Sequence, residues 1–332
     1  MLLEFDADQR LWQHTVREVL TRHCPAALIR EVADKGASTE ALWRVYTEQG
    51  WGELTDPAEA VELGIVLEEL GRHADPTPFL ATVTQFAPLA AGFELAGAAG
   101  AAVYEGVGVH HDGNSWVLTG TARHVLDGDR ADWLAVLTPS GVFVVPAASA
   151  IIRREQVFDP LLHLAEVTFA AVPVRDDAKA DADPEKARHV ALVGLAMTTV
   201  GACARVLEMV LEHVRGRTQF GVPIGSFQAV KHKAVDMHVA IERARALAYF
   251  AAMTIAADDP RRRLAASMAK AAAGECQSLV FAHGMQLFGA MSFTWENDLQ
   301  FALKRAKAGE LLLGGAAHHR ALIAEEYRAT DF

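Results

Sequence analysis

Hydrophobic positions along the chain change period twice, and the changes divide it into three stretches. Up to about residue 98 the apolar residues recur at helical spacing: Leu11, Trp12, Val16, Val19 and Leu20 form one set, Val61, Ile65, Leu67 and Leu70 another. Gly50, Gly52 and Pro57 interrupt them. In "ADPTPF", residues 74–79, two prolines stop the helix before them, and the apolar residues that follow predict a further helix to about Phe93. From about 99 to 175 the period shortens. "SWVLTGTARHVLDGDRADWLAVLTPSGVFVVPA" sets short β-branched and aromatic runs between Thr-Gly, Asp-Gly and Ser-Gly steps, the pattern of an antiparallel β-domain, and "LAEVTFAAVPV" adds a strand. "RDDAKADADPEKAR", charged and centred on Pro184, reads as an exposed linker or a loop entering a helix.

From about residue 187 the helical period returns in at least four segments. Val193, Met197, Val200, Ala204, Leu207 and Leu211 share one face of the first, and Met237, Ile241, Ala244 and Ala248 mark the second. The third is alanine-rich, over about 264–288, and the fourth runs from near Glu296 to about Leu313. Strands bracketed by helices predict an α+β fold of three domains: an N-terminal helical domain (1–98), a middle antiparallel β-domain (99–183) and a C-terminal four-helix bundle (184–332).

Composition narrows the function classes. The chain has 332 residues, is 51% hydrophobic and carries a formal net charge of −11. Its basic residues are scattered or in short runs such as Arg261–Arg263, which argues against a nucleic-acid surface. No uncharged apolar run reaches the roughly 18 residues of a membrane span, and no signal-peptide order opens the chain, so a cytoplasmic protein is expected. Cys24, Cys203 and Cys276 are odd in number and far apart, as reduced core thiols would be. His283, His318 and His319 lack a fourth ligand for a tetrahedral metal set, so no metal is expected.

The most specific motif is the turn between the first two C-terminal helices, "RTQFGVPIGSFQAVKHKAVDMHVAIERARAL". It resembles the R-x-x-F-G-x-x-I-x-x-F-Q turn of the acyl-CoA dehydrogenases. "GWGELTDPAEAVELGIVLEELGRHADPTPFLATV", "LTGTARHVLDGDRADWLAVL" and "QLFGAMSFTWENDLQFALKRAK" extend the resemblance over nearly the whole chain. It implies the fold just read, with FAD held across a subunit interface. By the resemblance Arg217 would contact the FAD pyrophosphate, Phe220 would pack near its adenine or ribose, Gln228 would lie nearby, and Gln286 and the backbone at Gly289 would hydrogen-bond the pyrophosphate. Taken singly, Arg217 also reads as a solvated helix-end cation, Phe220 as ordinary core and Gly221 as a helix C-cap.

The departures from the family pattern are equally specific. These enzymes take the α-proton of an acyl thioester with a glutamate while hydride leaves for the flavin. In most members that glutamate stands in a Y-E-G-T pattern; here the segment reads "AGELLLGGAAHH" and the position is Leu313, with Glu310 one turn earlier as a weak substitute. Where a branch of the family carries it instead, Val190 is nearest. The T-E-P-G-x-G-S-D-like loop beside the flavin and the P-E-x-x-G-G-x-G stretch are also missing. The resemblance therefore implies the shorter, degenerate subunit of a heteromeric α2β2 acyl-CoA dehydrogenase of the actinobacterial steroid and side-chain type, paired with a full-length subunit that handles the acyl-CoA. A self-sufficient homo-oligomer with an unusual base and a flavin-free module of the same fold stand as alternatives.

Overall fold

The computed structural model describes residues 4–329. Four helices come first: α1 (Ala7–His23), α2 (Ala26–Lys35), α3 (Glu40–Glu48) and α4 (Ala60–Arg72). α1 starts on a capping box in which the Asp6 carboxylate takes the Gln9 N–H at 2.8 Å and the Gln9 amide reaches back. After the Pro76–Pro78 break a short helical run, α5 (Phe79–Ala81) and α6 (Ala87–Leu89), is joined by a π-helical turn over Thr82–Phe86, and it ends before the predicted Phe93.

Strands follow: β1 (Gly100–Val103), β2 (Val107–His111), β3 (Trp116–Leu126), β4 (Trp133–Thr138), β5 (Gly141–Pro146), β6 (Ile151–Glu155), β7 (Leu164–Val174) and β8 (Lys179–Ala180). They form two four-stranded sheets, in the orders β1-β4-β5-β8 and β2-β3-β7-β6. Ala101, Val103, Leu118, Val136, Phe143, Val167 and Phe169 fill the space between them. The outer face of the first sheet is also covered, by Phe86, Leu89 and Ala90 against Ala102, Ala135 and Val144. Burial on both faces explains why "WLAVLT" and "GVFVVP" are continuous apolar runs without polar alternation.

Two details differ from the sequence reading. The pairing is not wholly antiparallel, since β1 runs parallel to β4. Thr119-Gly120 is not a turn: it lies inside β3 at a register shift, where Gly120 has φ +141° and a Cβ would sit 2.2 Å from the Gly106 carbonyl.

The charged stretch before the last domain holds β8 and then Asp183, whose carboxylate accepts the N–H groups of Glu185 and Lys186, both at 3.0 Å. Pro184 therefore takes the first position of α7 (Pro184–Gly216). Then come a small hairpin, β9 (Thr218–Gln219) and β10 (Val222–Pro223), and the helices α8 (Gln228–Ala256), α9 (Arg262–Phe288), α10 (Leu299–Leu311) and α11 (Ala316–Ala329). α7 is long and apolar enough to cross a membrane, but 83% of its most apolar stretch is buried in the protein.

The fold forms two compact units. The mainly helical one, which also carries the β9–β10 hairpin, comprises the residues up to Asp34, Pro57–Asp75 and those from Leu192 onward; the other, with both four-stranded sheets, comprises Lys35–Asp56 and Pro76–Ala191. In the helical unit α4 and α7 meet at glycines. A Cβ on Gly71 would lie 2.1 Å from the Thr198 carbonyl oxygen, and one on Gly201 1.9 Å from that of Glu68. In the other unit Tyr46 and Trp51 stack at 4.9 Å, and Phe79 meets Tyr46 edge-on.

Candidate cofactor-contact site

The end of α7 leads directly into the hairpin. The Arg217 N–H donates to the His213 carbonyl at 2.9 Å, and the Arg217 carbonyl accepts from the Ile224 N–H at 2.8 Å, closing the loop. Val222 pairs with Gln219 and Pro223 with Thr218, leaving Phe220 and Gly221 as the two turn residues. Both are left-handed, with φ +53° and +81°, as a type I′ turn demands. Gly221 satisfies that without strain. Phe220 does not, and its ring is 92% exposed, touching Phe227 edge-on at 6.1 Å.

The Arg217 side chain is exposed, and its guanidinium has no ion-pair or hydrogen-bond partner among the described residues. Gln228 opens α8, exposed, with its amide 3.4 Å from His232 Nε2. Gln286 is exposed on the last turn of α9. Gly289 ends that helix with φ +64° and ψ −144°, a conformation that residues with a Cβ avoid. A Cβ at Gly289 would meet nothing within 4 Å, so within this chain the glycine serves backbone shape and leaves open space beside it.

A contact not singled out in the sequence draws these parts together. The His213 imidazole stacks on the Phe288 ring, centroids 4.4 Å apart and planes 13° from parallel. It fixes the last turn of α7, four residues before Arg217, against the end of α9, between Gln286 and Gly289. Burial and then the charge of Arg217 hold His213 below its ordinary pKa. Its position one helical turn before Arg217 was the signal available.

The turn that follows α10 is built differently. Leu313 has φ +56°, and its carbonyl accepts from His319 Nε2 at 3.1 Å. The Glu310 carboxylate accepts from Lys307 at 2.8 Å and from the Ala316 N–H, which starts α11, at 3.4 Å. Burial works to raise the pKa of Glu310, but Lys307 and the Ala316 N–H hold it below the ordinary carboxylate value. Lys270, 1% exposed on α9, was also unremarked in the sequence; its ammonium donates to the carbonyls of Glu310 and Gly314 at 2.8 and 2.7 Å. Glu310 is thus committed to a helix start, and leucine stands where the resemblance places the base.

Among the described residues no group of three or more His, Cys, Asp or Glu side chains is placed to hold a metal. Cys24, Cys203 and Cys276 are buried and form no disulfide. The hydrogen bond with Cys276, then burial, raises the Cys203 pKa well above its ordinary value, which leaves it an unreactive thiol.

Residues 189–327 match the family model for the acyl-CoA dehydrogenase C-terminal domain. Over 319 residues the chain is 31% identical to acyl-CoA dehydrogenase IpdE2 of Mycobacterium tuberculosis, covering 92% of this chain and 93% of that protein. It is 28% identical to IpdE2 of Mycolicibacterium smegmatis, covering 92% and 94%. Among solved structures it superposes on a chain of the ChsE4-ChsE5 complex from M. tuberculosis with a TM-score of 0.89 at 22% identity, over 100% of both chains. A Tcur3481-Tcur3483 steroid acyl-CoA dehydrogenase gives 0.86 at 25% identity, over 97% and 99%. The chain belongs to the acyl-CoA dehydrogenase family, a family of flavin-dependent oxidoreductases.

Proposed function

We propose that this chain is the non-catalytic subunit of a heteromeric, FAD-dependent acyl-CoA dehydrogenase, which desaturates the α,β bond of an acyl-CoA thioester. It lends contacts to a FAD whose reacting ring belongs to a full-length partner. The observation that carries this reading is the hairpin: at its base a guanidinium without an ion-pair or hydrogen-bond partner among the described residues, and on its left-handed turn an aromatic ring in solvent. Local strain of this kind persists where something other than the chain's own folding requires it.

The residues present suit the pyrophosphate and adenosine half of such a cofactor. Arg217 would pair with phosphate oxygens, Phe220 would offer a face to adenine or ribose, and Gln286 with the open backbone at Gly289 would donate hydrogen bonds. Gln228 lies at the adjoining helix start. When bound, FAD accepts hydride; this chain's residues bind and orient it. Neither Leu313 nor Glu310 supplies the base: leucine cannot take a proton, and the Glu310 carboxylate is held by Lys307 and Ala316. Two solved neighbours, ChsE4-ChsE5 and Tcur3481-Tcur3483, are two-component assemblies, which favours the partner reading over a self-sufficient enzyme.

Co-expression with a full-length acyl-CoA dehydrogenase subunit tests this. The complex should copurify with bound flavin, and Arg217→Ala on this chain should weaken flavin retention about 10- to 100-fold, the loss of one charged hydrogen-bonding group. Unchanged flavin affinity in that variant complex sinks the reading.

A further inference from the structure

A cavity of about 500 Å3 opens within the helical unit, between α1, α2, the end of α4, α7 and α10. It contains none of the hairpin or α9-end residues assigned above, and it has two unlike ends.

The polar end is an arginine cluster organised by two carboxylates. Glu69, fully buried, accepts from Arg17 Nε at 3.0 Å and Nη2 at 2.6 Å, and Arg72 Nε lies 3.5 Å from it. Glu208 accepts a hydrogen bond from Arg72 Nη2. Arg205 reaches Glu208 through Nη1 alone, at 3.4 Å, and its side chain is 45% exposed, so most of its N–H fork is unused. Three guanidinium groups against two carboxylates leave one positive charge. His73 adds none: burial holds its pKa below the ordinary value, and its Nδ1–H donates to the Glu69 carbonyl at 2.9 Å. On the far side Asp298 is offset by its ion pair with Arg30. Between the ends the walls are apolar, formed by Cys24, Ile29, Met209, Phe301 and Ala302.

We infer that this cavity binds a monoanionic amphipathic acid: a carboxylate on the free edges of Arg205 and Arg17, with an apolar body along Ile29, Met209 and Phe301. The volume is in the range of small-ligand sites, a few polar groups converge at one end, and guanidinium forks match carboxylates. A coenzyme A thioester does not fit this balance. Its several phosphate charges exceed the single positive charge available, and its length exceeds the space. The ligand is a free acid, and the inference stands independently of the partner-subunit reading.

Titration of the full-length chain with sodium octanoate at millimolar concentration and below, followed by calorimetry, tests it. One saturable site is expected. 1-Octanol, of equal length and uncharged, should bind at least tenfold more weakly, and Arg205→Gln should weaken octanoate by about tenfold while leaving 1-octanol unchanged. Ala26→Trp, at the exposed rim, should abolish both, with the thermal transition of each variant verifying that it is folded. Non-saturable octanoate uptake, equal binding of acid and alcohol, or wild-type affinity in Arg205→Gln overturns the inference.

Discussion

At Phe220 the backbone is left-handed and the ring lies almost wholly in solvent. Asparagine adopts that conformation more readily, so Phe220→Asn should leave the isolated chain as stable or up to about 1 kcal/mol more stable by chemical denaturation. The same change should weaken flavin retention by the complex; if retention is unaltered, the ring does not face the cofactor. Lys270 shows the opposite economy, a cation inside the protein. Burial, against the pull of Glu310, lowers its ammonium from 10.5 to about 8. The unfolded chain then holds this proton over a pH range in which the folded chain has lost it, so this residue's contribution to stability rises between about pH 8 and 10.5. Relative to Lys270→Met, the wild type should gain up to roughly 3 kcal/mol across that window. Denaturant unfolding of both proteins at pH 7.5 and 10 measures it, and a constant difference refutes the assignment. Arg217 and Phe220 could be proposed from the sequence because a motif spaces them along one hairpin. Lys270 was not, because a lysine in an alanine-rich helix has the same sequence signature whether it faces water or two carbonyls. His213 and Phe288 meet only in three dimensions, and no local pattern links positions so far apart.

Among the elements, α4 and α7 are held at backbone distance. The Gly201 site leaves no room for a methyl group, since a Cβ there would lie 1.9 Å from the Glu68 carbonyl oxygen, and Glu68 is itself fixed by side-chain bonds from Arg245 at 2.9 Å and Tyr249 at 3.0 Å. Gly201→Ala should therefore destabilise the chain by about 3 kcal/mol or more, the upper range for overpacking. Gly52→Ala, where a Cβ meets nothing, should change stability by less than about 1 kcal/mol. Thermal or urea unfolding of the pair separates a packing effect from a general intolerance of alanine. The α4 and α7 periods were visible in the sequence because one face of each is apolar, whereas their close crossing was not, since a glycine in a helical pattern does not say what approaches it. The sheets show the same boundary. Turn chemistry marked a break at Ser140-Gly141, where the turn is Pro139-Ser140 and Gly141 already opens β5, but it also suggested a turn at Thr119-Gly120, where glycine instead admits a neighbouring backbone. The parallel pairing of β1 with β4 leaves no trace in either strand's own residues. α11 begins after Gly314 and Gly315, beyond the last clear apolar period, and its start depends on the Glu310 carboxylate.

For the whole molecule the proposed function turns on how flavin and chemistry would divide between subunits. Residues proposed to reach into a neighbour are on the surface, and the Arg217 guanidinium has no ion-pair or hydrogen-bond partner among the described residues, while the position that would serve this chain's own chemistry is a leucine in a left-handed turn. If contacts are lent in one direction only, the complex with a full-length subunit should carry one flavin for each pair of unlike chains, and this chain purified alone should be colourless. Turnover should then be indifferent to the last acid near the turn. Glu310→Gln removes one partly exposed ion pair and weakens a helix cap, a loss of about 1 kcal/mol in stability. It should leave kcat of the complex within about twofold, because a catalytic base lowers the barrier by far more than that. Absorbance at the flavin band against protein concentration gives the stoichiometry, and dye reduction with an acyl-CoA gives kcat. Two flavins per unlike pair together with a collapse of kcat in Glu310→Gln would mean that this subunit runs its own oxidation. One flavin per pair with kcat preserved assigns the proton abstraction to the partner and leaves this chain the task of holding half of the cofactor.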